Sequence, residues 1–361
     1  VMDRNARFFE CLLPTTQCNL KCEYCYIIQE NRRGMRQIGL DYSVEHILKA
    51  LSVERVGGVC YFSLCGTGET FLQKELVPLI HGLLEEGHYV NITTNGTVTN
   101  RIEELLDFNC ALLKHLHISF SLHYLELKRI GKLDAFFENV RKVRVSGASV
   151  LVQINLYDGY MPYFEEIRNR CLKEIGALPQ VAATRREMDG DVFDNIQLHT
   201  DLTEQEYFEV GEQFDSPLFR FTMHNFNVTR KEFCYAGDWS FNLDLKTGNL
   251  KACYHSGISQ NIFNDLSKPI RYQAVGNNCK SRYCINSSHF ISMGVIPEYK
   301  CMTYAQLRNR QEVHWYTEEM RNFLNQKLYE NHDQYSLAKK CYINLKMKIR
   351  DIARTLRGMV R

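Results

Sequence analysis

In the first half of the chain, apolar runs of strand length alternate with stretches of helical period. The strand-like runs are 8–13, 59–64, 89–93, 116–121 and 150–156, and helical patterns lie between them near 43–53, 74–86, 98–107 and 135–145. Alternation of this kind predicts parallel β/α units, and 181–184 offers a sixth strand. Six strands fall short of the eight that close a full barrel, so the expected fold is α/β, a partial (β/α)6 TIM-like barrel. Past about residue 190 the pattern changes. Residues 204–213 read as a helix. Residues 233–253 read as a β-hairpin, from the alternation Trp239-Ser240-Phe241-Asn242-Leu243 and the turn Lys246-Thr247-Gly248-Asn249. A loop-rich stretch, 256–300, precedes a mostly helical end from 304 to 361. The expected division is a barrel over 1–190, a helical connection over 191–230, a small α+β extension over 231–302 and a helical region over 303–361.

Composition narrows the classes. Hydrophobic residues at 45% and charged residues at 24% exclude a disordered or fibrous chain. A net charge of +2 is too balanced for a dedicated nucleic-acid binder. No run of about 18 apolar residues is present, and the N-terminus shows no secretory core segment, so a cytoplasmic protein is expected. The outlier is 14 cysteines. In a chain without secretory features they point to metal or redox chemistry rather than a disulfide framework.

Three of the cysteines share one loop directly after the first strand: Cys18-Asn19-Leu20-Lys21-Cys22-Glu23-Tyr24-Cys25, spaced C-x3-C-x2-C. Three thiolates can hold three irons of a cubane and leave the fourth iron without a protein ligand. A closed zinc site would want four ligands. After the second strand comes Cys65-Gly66-Thr67-Gly68-Glu69-Thr70, and after the third Thr94-Asn95-Gly96-Thr97. Glycines permit close backbone approach to a ligand, and a carboxylate pairs with an ammonium.

With these motifs the sequence resembles the radical S-adenosylmethionine (radical SAM) superfamily over about residues 8–185. The resemblance implies that Cys18, Cys22 and Cys25 hold a [4Fe-4S] cluster and that Tyr24 lies near the adenine of SAM. It implies that Gly66, Thr67, Gly68 and Glu69 bind the methionine amino group; Thr70 stands where the family commonly has proline. Thr94 and Asn95 are implied near the ribose, with Ser119, Ser121 and Asn155 as further SAM contacts on the fourth and fifth strands. In β/α barrels such residues gather at the C-terminal strand ends.

A second cysteine set follows. Cys234 is separated by thirteen residues from Gly248, and Gly248 by four from Cys253; Cys279 and Cys284 come after. The C-x13-G-x4-C element resembles the opening of the SPASM and "twitch" extensions of radical SAM enzymes. It implies one auxiliary [4Fe-4S] cluster on Cys234, Cys253, Cys279 and Cys284. Cys301 or His289 are alternatives for one ligand, and a zinc knuckle is the alternative metal site.

The expected chemistry is reductive cleavage of SAM to a 5′-deoxyadenosyl radical, followed by hydrogen abstraction that oxidises or epimerises a substrate. Cys65 and Cys301 are candidate catalytic thiols that would return a hydrogen atom. The electron donor implied by the resemblance is a flavodoxin or ferredoxin. A hydroxylated small molecule or saccharide is the expected substrate. Only 17 residues precede Cys18, too few for an N-terminal peptide-binding domain. A ribosomal-peptide-modifying SPASM maturase is the alternative, and a non-catalytic zinc-binding adaptor is a rival from another class. Residues 339–361 carry eight Lys/Arg and one acidic residue beside an apolar stripe of Leu345, Ile349, Ile352, Leu356 and Met359. This helix is expected to pack on its own domain with a solvated basic face, or to touch an anionic membrane surface peripherally.

Overall fold

The computed structural model describes residues 3–29, 31–34, 36–187, 196–279 and 281–359. Six parallel strands follow one another in chain order: β1 (Phe8–Leu13), β2 (Tyr61–Gly66), β3 (Tyr89–Thr94), β4 (Leu116–Ser121), β5 (Ser149–Leu156) and β6 (Gln180–Ala183). Helices Val44–Ala50, Leu76–Glu85, Thr99–Leu106, Leu133–Ser146 and Phe164–Ile175 connect them. Local chemistry sets the helix ends. Ser43 Oγ accepts from the His46 N–H at 3.2 Å, while Gly147 and Gly176 close the last two helices in the left-handed region. This is the α/β architecture that the alternation predicts, consistent with a partial barrel.

The two faces of the strands differ in chemistry. Phe9, Phe62 and Phe241 stack on the side that faces the helices, with ring centroids 4.8 and 5.2 Å apart. The inner face carries Glu10, Ser63, Asn91 and His117 at matching register positions. A small antiparallel ribbon, β7 (Arg185–Glu187) and β8 (Ile196–Leu198), follows β6. The hairpin read from 233–253 then returns to the sheet. β9 (Ser240–Asp244) lies parallel to the free edge of β1, and β10 (Asn249–Lys251) and β11 (Ser259–Asn261) continue antiparallel. One nine-stranded sheet results, in the order β11-β10-β9-β1-β2-β3-β4-β5-β6.

The region after residue 284 fills the inside of the curved sheet. Phe290 packs on Phe8, Tyr304 on Tyr61 and Tyr316 on His117, and the Trp315 carbonyl accepts from the Val150 N–H at 2.8 Å. Arg310 is buried and donates to backbone carbonyls of Leu178, Pro179, Phe214 and Asp215. The expectation of a mostly helical end holds in outline. Its packing role is inside the barrel, where Tyr304, Trp315 and Tyr316 belong to the main core.

The last helix, Leu337–Met359, inverts its expected faces. Ile343 and Met347 are buried against the fold, while Leu345, Ile349 and Ile352 of the apolar stripe are 58–61% exposed. The packing face is therefore not the stripe; Leu356 and Met359 lie outside the residues whose side chains are described. Among the described residues no helix is long and apolar enough to cross a membrane.

Two buried histidines give the fold a pH dependence. His88 Nδ1 accepts from the Cys60 N–H at 3.1 Å while its Nε2 faces the Leu51 carbonyl at 2.9 Å, a pattern that fixes the neutral ring. Burial lowers its pKa to about 4 and that of His117 to about 3. Unfolded histidine titrates near 6.5, so below that pH the unfolded chain binds protons that the native chain refuses. The stabilisation is complete above about pH 6.5 and is lost as pH falls towards 4. Denaturant melts at pH 7.0, 6.0 and 5.0 should show stability falling by about 1 kcal/mol over the first interval and by about 2 kcal/mol over the second from these two groups. His88→Gln should flatten that slope by about half.

Candidate active site

The loop from Thr15 to Cys25 is pinned from three later strand ends. The Gly68 N–H donates to the Thr15 carbonyl at 2.7 Å and the Glu69 N–H to the Gln17 carbonyl at 2.9 Å. Asn19 Nδ2 donates to Thr97 Oγ1 at 2.6 Å, and the Lys21 N–H to Glu126 Oε2 at 2.8 Å. Arg33 donates to the Cys18 carbonyl. The three thiols of the loop act on one another electrostatically. Burial raises the Cys22 pKa well above the usual thiol value, with Cys18 and Cys25 adding to the shift. Burial likewise raises Cys18. Cys22 is buried and Cys18 and Cys25 are half-buried, so as thiolates the three would need a strongly cationic partner, and a cluster iron would supply one. Among the described residues no three His, Cys, Asp or Glu groups stand close enough for a single metal ion. A cubane is several ångströms across and keeps its thiolates farther apart than one ion does.

The glycine turn after β2 packs directly on this loop. A Cβ on Gly68 would lie 2.1 Å from the Gln17 carbonyl oxygen, so only glycine fits. Thr70 replaces the proline of the family pattern for a visible reason: its Oγ1 accepts from the Gly66 N–H at 3.1 Å and closes the turn. Thr67 Oγ1 donates to the Thr15 carbonyl at 3.1 Å. Glu69 is almost fully buried. Its Oε1 accepts from Thr94 Oγ1 at 2.6 Å and the Phe71 N–H at 3.0 Å, and its Oε2 from the Asn95 N–H at 2.8 Å. Burial raises its pKa while these donors oppose the rise. The carboxylate thus braces β2 against β3 and keeps acceptor capacity for one further donor. Asn95 Nδ2 bonds Asn19 Oδ1 at 2.8 Å and approaches Cys18 Sγ at 3.9 Å, joining the third strand end to the thiol loop.

Tyr24 is buried. Its hydroxyl meets His123 Nδ1 at 2.6 Å and the Tyr160 hydroxyl at 3.0 Å, and Tyr157 donates to Glu23 at 2.7 Å. Ser119 Oγ donates to Asn91 Oδ1 at 2.7 Å on the inner face, with Asn91 Nδ2 donating on to Ser63 Oγ at 3.0 Å. Ser121 and Asn155 stand half-buried at the C-terminal ends of β4 and β5. Cys65 follows on the inner face of β2, paired in register with Leu12. Burial, with Glu10 nearby, pushes its thiol up to about 12, so it is protonated at neutral pH.

The second set of thiols converges although its members span fifty residues. Cys234, Cys253 and Cys279 pack around Ala236, Ala252 and Val275. The Cys284 pKa is raised by burial and then by the charges of Cys234, Cys253 and Cys279. Burial and the Cys279 charge push Cys253 to about 11. Gly248, at φ +77°, makes the hairpin turn that brings Cys253 back towards Cys234. The two alternative ligands are engaged elsewhere. His289 Nδ1 lies 2.9 Å from Glu10 Oε1, and Cys301 Sγ lies 3.4 Å from Lys327 Nζ. Cys301 lines an open, largely apolar cleft of about 920 Å³ with Phe208, Phe221, Met223 and Met302.

One group escaped the sequence reading. Glu10, within the apolar run Phe-Phe-Glu-Cys-Leu-Leu, is 3% exposed on the inner face and accepts from Asn286 Nδ2 at 2.9 Å as well as from His289. A carboxylate inside a strand of buried hydrophobics was the signal available.

Comparison with known proteins reaches the first thiol loop and the turns after β2 and β3. A family model described as the radical SAM superfamily matches residues 12–170. Over 82 residues the chain is 35% identical to 7-carboxy-7-deazaguanine synthase of Methanospirillum hungatei, covering 22% of this chain and 31% of that protein. The chain therefore matches less than a third of that relative's length. Among solved structures, SuiB of Streptococcus suis bound to S-adenosylmethionine is similar with a TM-score of 0.51 and 15% identity, over 72% of this chain and 64% of SuiB. SuiB bound to its precursor peptide SuiA gives a TM-score of 0.50 and 16% identity, over 73% and 63%. At such identities the likeness to SuiB is one of fold, and it spans just under two thirds of that protein. The three-thiol loop, the glycine turn packed on it and the family match together identify residues 12–170 as a radical SAM superfamily domain.

Proposed function

We propose that the protein cleaves SAM reductively at the Cys18–Cys22–Cys25 loop and uses the resulting radical to modify a peptide, assisted by an auxiliary cluster on Cys234, Cys253, Cys279 and Cys284. The observation that carries this reading is the gathering of two separate thiol sets, one of three and one of four. Three ligands leave a cluster open to a small molecule, and four close one. When bound, the first cluster supplies the electron that splits SAM into methionine and a 5′-deoxyadenosyl radical. Around it the chain's own groups have definite tasks. The Gly66–Gly68 backbone and the remaining acceptor position of Glu69 suit the methionine ammonium. Tyr24, held by His123 and Tyr160, offers a fixed ring to the adenine. Thr94, Asn95, Ser119, Ser121 and Asn155 present polar groups towards the ribose and carboxylate. The closed inner face keeps water from the reacting carbon. Cys65, protonated and inward-facing, is suited to give a hydrogen atom rather than to act as a thiolate.

Peptide modification takes precedence over the saccharide reading for two reasons. SuiB, which shares the fold, has been captured with its precursor peptide. The apolar cleft of about 920 Å³ beside the helix Pro217–Asn225 is also of a size to seat several residues of an extended chain. A small hydroxylated substrate remains the second reading, favoured by the polar inner face.

Anaerobic reconstitution tests the proposal. The wild-type chain should hold about eight irons and release 5′-deoxyadenosine from SAM with dithionite. Cys22→Ala should hold about four irons and release none. Cys253→Ala should also hold about four irons yet continue to cleave SAM. Bound zinc without SAM cleavage would establish the adaptor reading instead.

A further inference from the structure

Glu10 has an unused half. Its Oε1 accepts from Asn286 Nδ2 and His289 Nδ1, both at 2.9 Å, with Nδ1 taken as the donor. Its Oε2 is buried with no donor in hydrogen-bonding geometry, although Glu10 also acts on the Tyr254 hydroxyl. On the next strand Asn242, 5% exposed, pairs with Glu10 in register, so both side chains project from the same face. The Nδ2 of Asn242 is likewise buried without a partner. Two adjacent strands thus present an open acceptor beside an open donor, and polar atoms so placed are costly unless something binds them.

The location is between the two thiol sets. β1 runs from Glu10 into the Cys18 loop. Tyr254, next to Cys253, shares Asn286 with Glu10 through a 3.2 Å hydrogen bond, and Asn286 itself is two residues from Cys284. Glu10 already shares its surroundings with a cation. The Arg308 guanidinium is buried and donates to the Ser288 and Tyr304 carbonyls, and both it and Glu10 act on the Tyr304 hydroxyl. A substrate cation would therefore add an uncompensated charge to the interior.

We infer that Glu10 and Asn242 anchor the substrate through a neutral group offering a donor beside an acceptor: a serine or threonine hydroxyl, or an asparagine or glutamine carboxamide, of a peptide. The inference rests on the peptide reading above. The test uses the reconstituted protein with SAM and no reductant, so that nothing turns over. Capped pentapeptides acetyl-Gly-Gly-X-Gly-Gly-amide, with X as Gln, Ser, Lys or Leu, are titrated by saturation-transfer NMR. The Gln and Ser peptides should bind at least about 5-fold tighter than the Leu peptide. Glu10→Gln and Asn242→Leu should each erase that preference; the second variant reads the anchor even where the first disturbs iron loading. Equal binding of Leu, tightest binding of Lys, no peptide binding at all, or a preference that survives both variants would overturn the inference. Dithionite added afterwards reads SAM cleavage separately: its absence sinks the enzymatic reading, while the ranking of peptides still decides the anchor.

Discussion

Gly68→Ala is expected to empty the first thiol loop of iron while leaving the rest of the chain folded. The new Cβ would stand 2.1 Å from the Gln17 carbonyl oxygen, 2.7 Å from its carbon and 2.8 Å from the Thr16 carbonyl carbon. All three are backbone atoms, so no side chain can swing away. The turn and the loop must separate, and the hydrogen bonds from Gly68 to Thr15 and from Glu69 to Gln17 go with them. Cys18 is the next residue along the displaced strand of loop. A shift of about 1 Å at a catalytic group costs on the order of 100-fold in rate. The variant should retain about four irons, those of the second set, and release 5′-deoxyadenosine at least about 100-fold more slowly. Gly66→Ala makes the comparison: its Cβ would sit 3.2 Å from the Thr15 oxygen, a strain that a small adjustment relieves, and its loss should be partial. A Gly68→Ala protein with normal iron and normal SAM cleavage would remove the basis for coupling the turn to the loop.

Arg310→Leu is expected to cause the largest loss of stability among single changes outside the thiol sets. One guanidinium gathers the carbonyls of Leu178 at 2.9 Å, Asp215 at 2.8 Å, Pro179 at 3.1 Å and Phe214 at 2.9 Å. It thereby ties the start of β6 and the entry to the helix Pro217–Asn225 to the segment that fills the barrel. Leucine would leave these buried acceptors without donors, at a cost of about 4 kcal/mol or more. In a chain of this size that corresponds to a fall of about 5 °C in Tm. Arg310→Lys should recover part of it, since an ammonium reaches fewer of the four carbonyls than the planar fork does. Calorimetry on the three proteins decides the matter; a leucine variant within about 1 kcal/mol of wild type would show that the carbonyls find other partners.

What could be read from the sequence was what is local. The six parallel strands follow from runs of four to eight apolar residues and the helices between them, and the three-thiol loop and glycine turn are contiguous motifs. The Cys234–Gly248–Cys253 hairpin is also local, because its turn glycine lies between its thiols. What stayed hidden depends on pairing across long sequence distances. Glu10 looks like an interruption in an apolar run until Asn242, Asn286 and His289, more than 230 residues later, are placed around it. His289 looked like a spare cluster ligand for the same reason. Tyr304, Trp315 and Tyr316 read as residues of a helical end, and nothing in their spacing says that they lie inside the barrel. The last helix shows the opposite error: Leu345, Ile349 and Ile352 form a regular stripe, yet the chain packs through Ile343 and Met347.

The parallel seam between β9 and β1 decides how the chain can be divided. β1 is a central strand, hydrogen-bonded on one side to β2 and on the other to β9, with the Phe8 N–H bonded to the Trp239 carbonyl and the Leu245 N–H to the Leu12 carbonyl. A fragment ending before β9 would turn Phe-Phe-Glu-Cys-Leu-Leu into a bare edge, the kind of hydrophobic strand that recruits other chains and aggregates. The two halves are therefore not interchangeable modules. The strand that delivers the three-thiol loop is protected from self-association only by the segment that carries the other four thiols.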